Sequence, residues 1–566
     1  MFRLPTLVNN ARRQDCRSLV IIFKNKKHVW TSEKVIKSPF KDVEIPNLTV
    51  TEYIWRNLDK WATKTATVCG VTDRQYTYEQ IYKQSQILGA NLRKKFRIEN
   101  DDAVAVMLPN LPEYPTIMLA ILNAGGLVST INPIYTPFEI SRQLTTSNAK
   151  LIFAFPDIVP VVREALKLSK KDIPQVVINL NDSLPEGTIS FNELVEDNHV
   201  DISILKQVNR SVEDVAFLLY SSGTTGLPKG VELTNKNLVV NFEQQTTECR
   251  PYQFTTESNQ DCSLVSLPIF HSYGLNVSTL QKMSAGLKLV TVPRFRPDIM
   301  IDVLSKYSIN FIQVAPPTVS FFGLHPEVLP KHFERLRGIM SGGAPLPQVD
   351  IDRFLSKASP DAHFVQGYGL TETAPVSTLS PLGYKDYTKV GFPLPNIELR
   401  VVDNQLNNLG PNEIGELLIK GPNVMKGYKD NPEANKEIFL ENRWMRTGDL
   451  AKIDKDGSVT IVDRLKELIK VNAFQVPPAE IESVCKEHPA VFDAAVVAIP
   501  DVDTGEKPKA FIVLKDNVKA TDKDIINFVA ERLAPYKRIK EVAFIDSIPK
   551  NPSGKILRRV IKEKYC

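Results

Sequence analysis

Cysteine is sparse and unpatterned in this 566-residue chain: Cys16, Cys69, Cys249, Cys262, Cys485 and Cys566 form no C-x-x-C pair. That excludes a zinc ribbon, a thioredoxin-like redox motif and a small disulfide-stapled scaffold, and makes a reducing compartment the plain reading. The seven histidines contain no H-E-x-x-H cluster, so the sequence offers no protein-built metal site. No stretch of about 18 apolar residues exists to span a bilayer. The longest apolar run, near Ile117 to Val128, is broken by Asn123, Gly125 and Gly126. Internal repeats and low-complexity tracts are lacking too.

A strong excess of one charge is also missing from the body of the chain. The whole sequence carries 70 basic and 65 acidic residues, a net +5. Residues 1–32 hold seven basic residues against Asp15 alone, and residues 464–566 hold nineteen against fifteen acids, so residues 33–463 carry about −5. A modest excess near the C-terminus suits a small anionic ligand and no nucleic acid. The first 32 residues, basic and with small apolar clusters (Met1, Phe2, Leu4; Leu19 to Phe23), read as a targeting segment of mitochondrial type. A cytoplasmic location is the alternative, and Lys564-Tyr565-Cys566 is not a peroxisomal address.

From residue 33 onward, short apolar runs alternate with amphipathic stretches. Ala103–Leu108, Leu151–Ala154, Ala216–Tyr220 and Phe311–Val314 are predicted as buried strands of α/β layers. Residues 382–463 turn strand- and turn-rich, with strands expected at Ile397–Asp403, Glu416–Ile419 and Ser458–Asp463. After Asp463 a smaller α+β unit is predicted, with strands at Ala494–Ile499, Ala510–Leu514 and Val542–Ile545 and a helix over Asp522–Leu533.

The most informative segment follows the apolar run Ala216–Leu219: Tyr220-Ser-Ser-Gly-Thr-Thr-Gly-Leu-Pro-Lys-Gly230. Gly223 and Gly226 free backbone N–H groups to curl round an anion, Ser221, Ser222, Thr224 and Thr225 add hydroxyls, and Lys229 adds a charge. This composition is built for phosphate. It is not a Walker A loop, because Lys229 follows Gly226 by three residues and is itself followed by Gly230 rather than Ser or Thr.

With that loop the chain resembles the adenylate-forming (AMP-binding) family of acyl-CoA synthetases, 4-coumarate:CoA ligases and insect luciferases. Further motifs recur in that family's order over nearly the whole chain: Leu267-Pro-Ile-Phe-His271, Ser341-Gly-Gly-Ala-Pro345, Gln366-Gly-Tyr-Gly-Leu-Thr-Glu-Thr373, Trp444-Met-Arg-Thr-Gly-Asp-Leu450, Val462-Asp-Arg-Leu-Lys-Glu-Leu-Ile-Lys470 and Asn551-Pro-Ser-Gly-Lys555. The fold implied is α/β: a large N-terminal domain over 33–465, made of layered α/β subdomains plus a β-rich subdomain, and a small mobile α+β C-terminal domain over 466–566. The reaction implied has two halves. A carboxylate attacks the α-phosphate of MgATP to give acyl-AMP and pyrophosphate, and a thiol then displaces AMP.

The resemblance also implies roles. Ser221, Ser222, Gly223, Thr224, Thr225, Gly226 and Lys229 cradle the β- and γ-phosphates. Thr371 touches the α-phosphate and Glu372 holds Mg²⁺, a hard cation that prefers carboxylate and phosphate oxygens. Tyr368, with Gln366, Gly367 and Gly369 beside it, stacks on adenine, while Gly342, Gly343, Ala344 and Pro345 line the base pocket. Asp449 accepts from the ribose hydroxyls and Arg464 contacts the nucleotide. Lys555 bridges the carboxylate and the α-phosphate, where two anions must approach. Lys466 is the hinge about which the small domain turns to bring Lys470 and Gln475 to the thiol.

His271, Tyr273, Val277, Pro375 and Val376 are expected to line the acid pocket, with no cation to meet a second carboxylate. The acid expected is hydrophobic, first a medium-chain fatty acid and second an aryl-propenoic acid of the 4-coumarate type. No carrier-protein segment follows the Lys555 motif, so free coenzyme A is the expected thiol. A luciferase-like oxygenase shares every adenylation motif and stands as an alternative, while a non-catalytic nucleotide-binding protein fits least. One departure is visible: Asn472 and Ala473 stand where many relatives carry Lys and Gly, and the Cβ of Ala473 crowds the expected thiol path.

Overall fold

The computed structural model of the chain describes residues 29–566 except 180–182, 222–227, 247–254, 472–473, 502–503, 534 and 552–553. The basic segment 1–28 lies outside the described residues. Four sheets build the described part: three of eight, nine and five strands in the large domain, and one of five in the small domain.

The predicted apolar runs form the parallel centres of the two larger sheets. Ala103–Val106, Leu127–Thr130 and Leu151–Ala154 lie side by side with every residue buried, the pattern of strands covered on both faces. In the nine-stranded sheet Cys262–Val265, Phe311–Val314, Gly338–Ser341 and His363–Gly369 run parallel in that spatial order. The broken apolar run resolves into a buried helix, Tyr114–Asn123, and the strand Leu127–Thr130, with the turn at Gly125 between them. A capped helix, Tyr78–Phe96, begins where the Thr77 hydroxyl accepts from Gln80 N at 3.2 Å and the Gln80 side chain accepts from Thr77 N at 2.8 Å. One continuous hydrophobic cluster then joins both sheets through these helices, from Ala66 and Leu88 to Ile117, Phe217, Phe242 and Leu289.

The five-stranded sheet is antiparallel and ends the large domain with Met445–Ile453 and Val459–Arg464. Its edge is Ile36–Lys37, a strand from the start of the domain that pairs with Glu398–Val402. Met445–Ile453 went unpredicted because Arg446, Thr447, Gly448 and Asp449 interrupt any apolar alternation. Sheet pairing to Gly415–Lys420 holds it in place instead. The small domain carries Val491–Asp501 and Gly505–Leu514 as a long hairpin, flanked by Ile469–Val471 and Glu541–Phe544. Its predicted helix stops at Ala530, three residues short of the sequence expectation.

Candidate active site

The strand Val215–Ser221 ends at the phosphate-type loop, and Lys229–Thr234 returns antiparallel, so Lys229 pairs across from Ser221. Ser222, Gly223, Thr224, Thr225 and Gly226 lie outside the described residues. The short strand Gly427–Tyr428 pairs with the other edge of Lys229–Thr234. This places the Tyr428 ring under the Lys229 ammonium, 5.0 Å from the ring centroid, and the Tyr428 hydroxyl donates to Glu372 Oε1 at 2.9 Å. Burial, and next the Glu372 charge, push the Tyr428 pKa far up, so the phenol stays a donor.

Glu372 and Thr371 sit in one turn of 3₁₀-helix, Thr371–Thr373, directly after the strand His363–Gly369. Both are largely buried, and Glu372 O accepts from Met425 N at 2.8 Å. The Thr371 hydroxyl lies 3.3 Å from that of Ser272, the residue after His271. Thus the strand ends of the two large sheets meet at Ser221, Lys229, Thr371 and Glu372, the carboxyl-terminal position where α/β sheets hold ligands.

Tyr368, near the end of the strand His363–Gly369, donates its hydroxyl to Asp449 Oδ2 at 2.6 Å. Asp449 pairs in register with Arg464 across Met445–Ile453 and Val459–Arg464, and Arg464 Nε stands 3.4 Å from Asp449 Oδ1. Asp449 is 4% exposed. Burial raises its pKa, against the pull of Arg464, Tyr368 and Lys555. Behind it Glu416 accepts from Arg446 Nε and Gly448 N, which fixes the turn that presents Asp449. Gln366 donates through its side chain to Tyr387 O. Gly342, Gly343, Ala344 and Pro345 follow the strand Gly338–Ser341, beside Gly367 and Gly369 of the neighbouring strand. A Cβ on Gly342 would stand 2.9 Å from Gly367 O, so only glycine lets the two strand ends close there.

Lys555 reaches this cluster from the small domain. Its loop is closed by Asn551, whose Oδ1 accepts from Lys555 N at 2.8 Å and whose N donates to Lys555 O at 2.9 Å. Gly554 has φ +82°, and a Cβ there would stand 2.8 Å from Pro317 Cδ, so the loop packs straight onto the large domain. Lys555 feels Arg464, Glu467 and Asp449. Burial first, and Arg464 second, bring its pKa down to about 8, against the opposing carboxylates.

Burial brings the His271 pKa down to about 4, so the ring is neutral at pH 7. Its Nδ1 accepts from Tyr273 N at 3.3 Å, which leaves the hydrogen of the neutral ring on Nε2. Tyr273 opens an eight-residue π-helix, Tyr273–Leu280, and its hydroxyl donates to Met340 O at 3.1 Å. Val277 on that helix and Val376, just past Pro375, are buried in the same hydrophobic cluster as Tyr273, Leu267 and Met340.

Three further residues expected to act together lie in the segment that leads from Arg464 into the small domain. Lys470 is exposed on Ile469–Val471, paired in register with Gln475 of Phe474–Val476, and its N donates to Glu506 Oε2 at 2.7 Å. Lys466 lies in the turn between Val459–Arg464 and Ile469–Val471. Asn472 and Ala473 lie outside the described residues. Sequence reasoning missed Tyr428, Glu416 and Ser272. The first two act through pairing between strands far apart in sequence, which leaves no local signal, whereas Ser272 stood beside a residue already singled out.

The AMP-binding enzyme family matches residues 54–429, and its C-terminal domain matches residues 480–555. 4-Coumarate–CoA ligase 1 of Arabidopsis thaliana is 36% identical over 550 residues, covering 94% of this chain and 96% of its own length. 4-Coumarate–CoA ligase 3 of Oryza sativa subsp. japonica is 37% identical over 539 residues, with 94% and 95% covered. Among solved structures, ATP-bound MatB from Rhodopseudomonas palustris is similar with a TM-score of 0.81 at 27% identity, over 92% of this chain and 99% of its own.

Proposed function

We propose, on the premise that the chain belongs to the AMP-binding enzyme family and is an AMP-forming acid–thiol ligase using ATP and coenzyme A, that its acid is a medium-chain fatty acid. The residues at the two strand ends activate that acid as acyl-AMP. The observation that supports the adenylation chemistry is the packing of Gly554 against Pro317 of the large domain, which brings Lys555 within electrostatic reach of Arg464 and Asp449. A cation held there lowers the cost of bringing a carboxylate up to an α-phosphate, and burial strengthens it because less water screens the charge.

In this reading Lys229 and the hydroxyls of its loop receive the β- and γ-phosphates, and Thr371 meets the α-phosphate. Asp449, already oriented by Tyr368 and Arg464, accepts from ribose. His271 offers Nε2–H, a neutral donor, at the acid side. Once acyl-AMP has formed, Lys555 withdraws with the small domain as it turns about Lys466, and Lys470 with Gln475 takes its place. The basic segment 1–32 supports delivery to mitochondria, where activated fatty acids are oxidised.

The residues present fit Mg²⁺. Glu372 is a buried carboxylate with no ion pair among the described residues, and the described residues contain no cluster of three acidic, His or Cys side chains. One carboxylate completed by phosphate oxygens is the usual environment of Mg²⁺. When bound with ATP, the ion offsets charge on the phosphates.

The fatty-acid reading is supported by the apolar cluster that Tyr273, Val277 and Val376 share beside the neutral His271. The names of the curated relatives support a second reading equally well, an aryl-propenoic acid of the 4-coumarate type. Pyrophosphate release across octanoate, decanoate, cinnamate and 4-coumarate, with and without coenzyme A, tests both. A kcat/KM at least tenfold higher for octanoate or decanoate is the expected result; the same preference for 4-coumarate would replace the first reading with the second.

A further inference from the structure

Tyr428 touches both halves of the phosphate end of the site. Its backbone is fixed on two sides. Lys429 N donates to Gly230 O at 2.8 Å beside the strand pairing to Lys229–Thr234. Asn435 accepts from Tyr428 N at 2.7 Å and donates to Tyr428 O at 2.9 Å. The side chain, 6% exposed, then has little freedom: its ring lies under Lys229 and its hydroxyl ends on Glu372. Lys229 belongs to the eight-stranded sheet and Glu372 follows a strand of the nine-stranded sheet, so this phenol is a direct tie between the two.

We propose that Tyr428 is the positioning residue that sets Glu372 and Lys229 for the metal–triphosphate, its hydroxyl acting on the metal carboxylate and its ring on the lysine. This rests on the roles given above to Glu372 and Lys229. A donor on Oε1 fixes the plane of the carboxylate, so it need not reorganise when a cation arrives. The aromatic face attracts the ammonium without neutralising it. A carboxylate in the same place would compete with phosphate for Lys229, whereas a ring gives way to a full negative charge. Tyr428 therefore holds the cation in place and leaves its charge available.

The test is ATP binding to the full chain without acid or turnover, by calorimetry, once with Mg²⁺ and once with EDTA. Tyr428→Phe keeps the ring and should bind metal-free ATP within about twofold of the native chain, yet lose at least fivefold of the affinity gained from Mg²⁺. Tyr428→Leu should in addition weaken metal-free ATP at least threefold, through Lys229. Melting temperature checks that both variants are folded; should the Leu variant fail, the Phe variant still decides the role of the hydroxyl. Glu372→Gln separates the two levels. If it loses the Mg²⁺ gain while Tyr428→Phe keeps it, the proposal is overturned and the role of Glu372 stands. If Glu372→Gln keeps the gain, the role of Glu372 falls, and the proposal falls with it.

Discussion

The Tyr368 hydroxyl donates to Asp449 Oδ2 at 2.6 Å, tying the last turn of the nine-stranded sheet to the five-stranded one through a buried carboxylate. Asp449 is therefore oriented before any nucleotide binds, with Arg464 on its other oxygen. Hydrogen bonds to a charged group contribute about 1.5–3 kcal/mol. Tyr368→Phe should raise the KM for ATP by roughly tenfold, since 1.4 kcal/mol is a factor of ten, and leave the KM for the acid within about twofold. Initial rates of pyrophosphate release at varied ATP check this. A changed acid KM with an unchanged ATP KM would place the pair elsewhere in the reaction.

The depressed pKa of Lys555 gives a pH signature. Its folded-state value is about 8, so the ammonium is present below that pH and is lost as pH rises through it. For the free enzyme, kcat/KM for adenylation should fall about tenfold per unit above pH 8. Lys555→Arg carries a guanidinium that stays charged above pH 12. Whatever its absolute rate, its profile should lack this limb; an identical limb in the variant would assign the titration to another group.

Gly554→Ala places a Cβ 2.8 Å from Pro317 Cδ at a residue with φ +82°. The Lys555 loop can no longer seat fully, so adenylation should slow at least tenfold while thioester formation from supplied acyl-AMP changes less than threefold. Rapid-quench measurement of each half-reaction separates the two. Equal losses in both would mean the loop is needed beyond its docked position.

Lys470 is exposed, and its backbone N–H donates to Glu506 of the small domain. Lys470→Ala should leave pyrophosphate release within about twofold and slow acyl-CoA formation from supplied acyl-AMP at least tenfold. Loss at the first step would contradict the two-position account of the small domain.

Much of this was legible in the sequence, for identifiable reasons. The strands Leu151–Ala154 and Phe311–Val314 match the sequence expectation to the residue because strands buried on both faces are uninterrupted apolar runs. Ser221 and Lys229 stand out because glycine, hydroxyl and charge crowd into one short loop after an apolar strand, whereas Thr371, Glu372, Asp449 and Lys555 are singled out only by the resemblance of their motifs to the family's. What escaped depends on partners distant in the chain. Tyr428 is an ordinary tyrosine until strand pairing puts it beside Lys229, and Met445–Ile453 reads as polar until its neighbour holds it. Ile36–Lys37 carries too few residues for any periodicity, yet it closes a sheet some 360 residues downstream through Glu398–Val402.

Lys555, whose loop packs on Pro317 of the large domain, is proposed to serve the first half-reaction only. Its direct test is single-turnover kinetics of Lys555→Ala, following pyrophosphate release from ATP and acid in one experiment and acyl-CoA formation from supplied acyl-AMP in another. Pyrophosphate release should fall at least a hundredfold, with acyl-CoA formation within about threefold of the native chain, because the charge is required only while two anions approach. A variant in which both half-reactions fall together, or only the second falls, would contradict it.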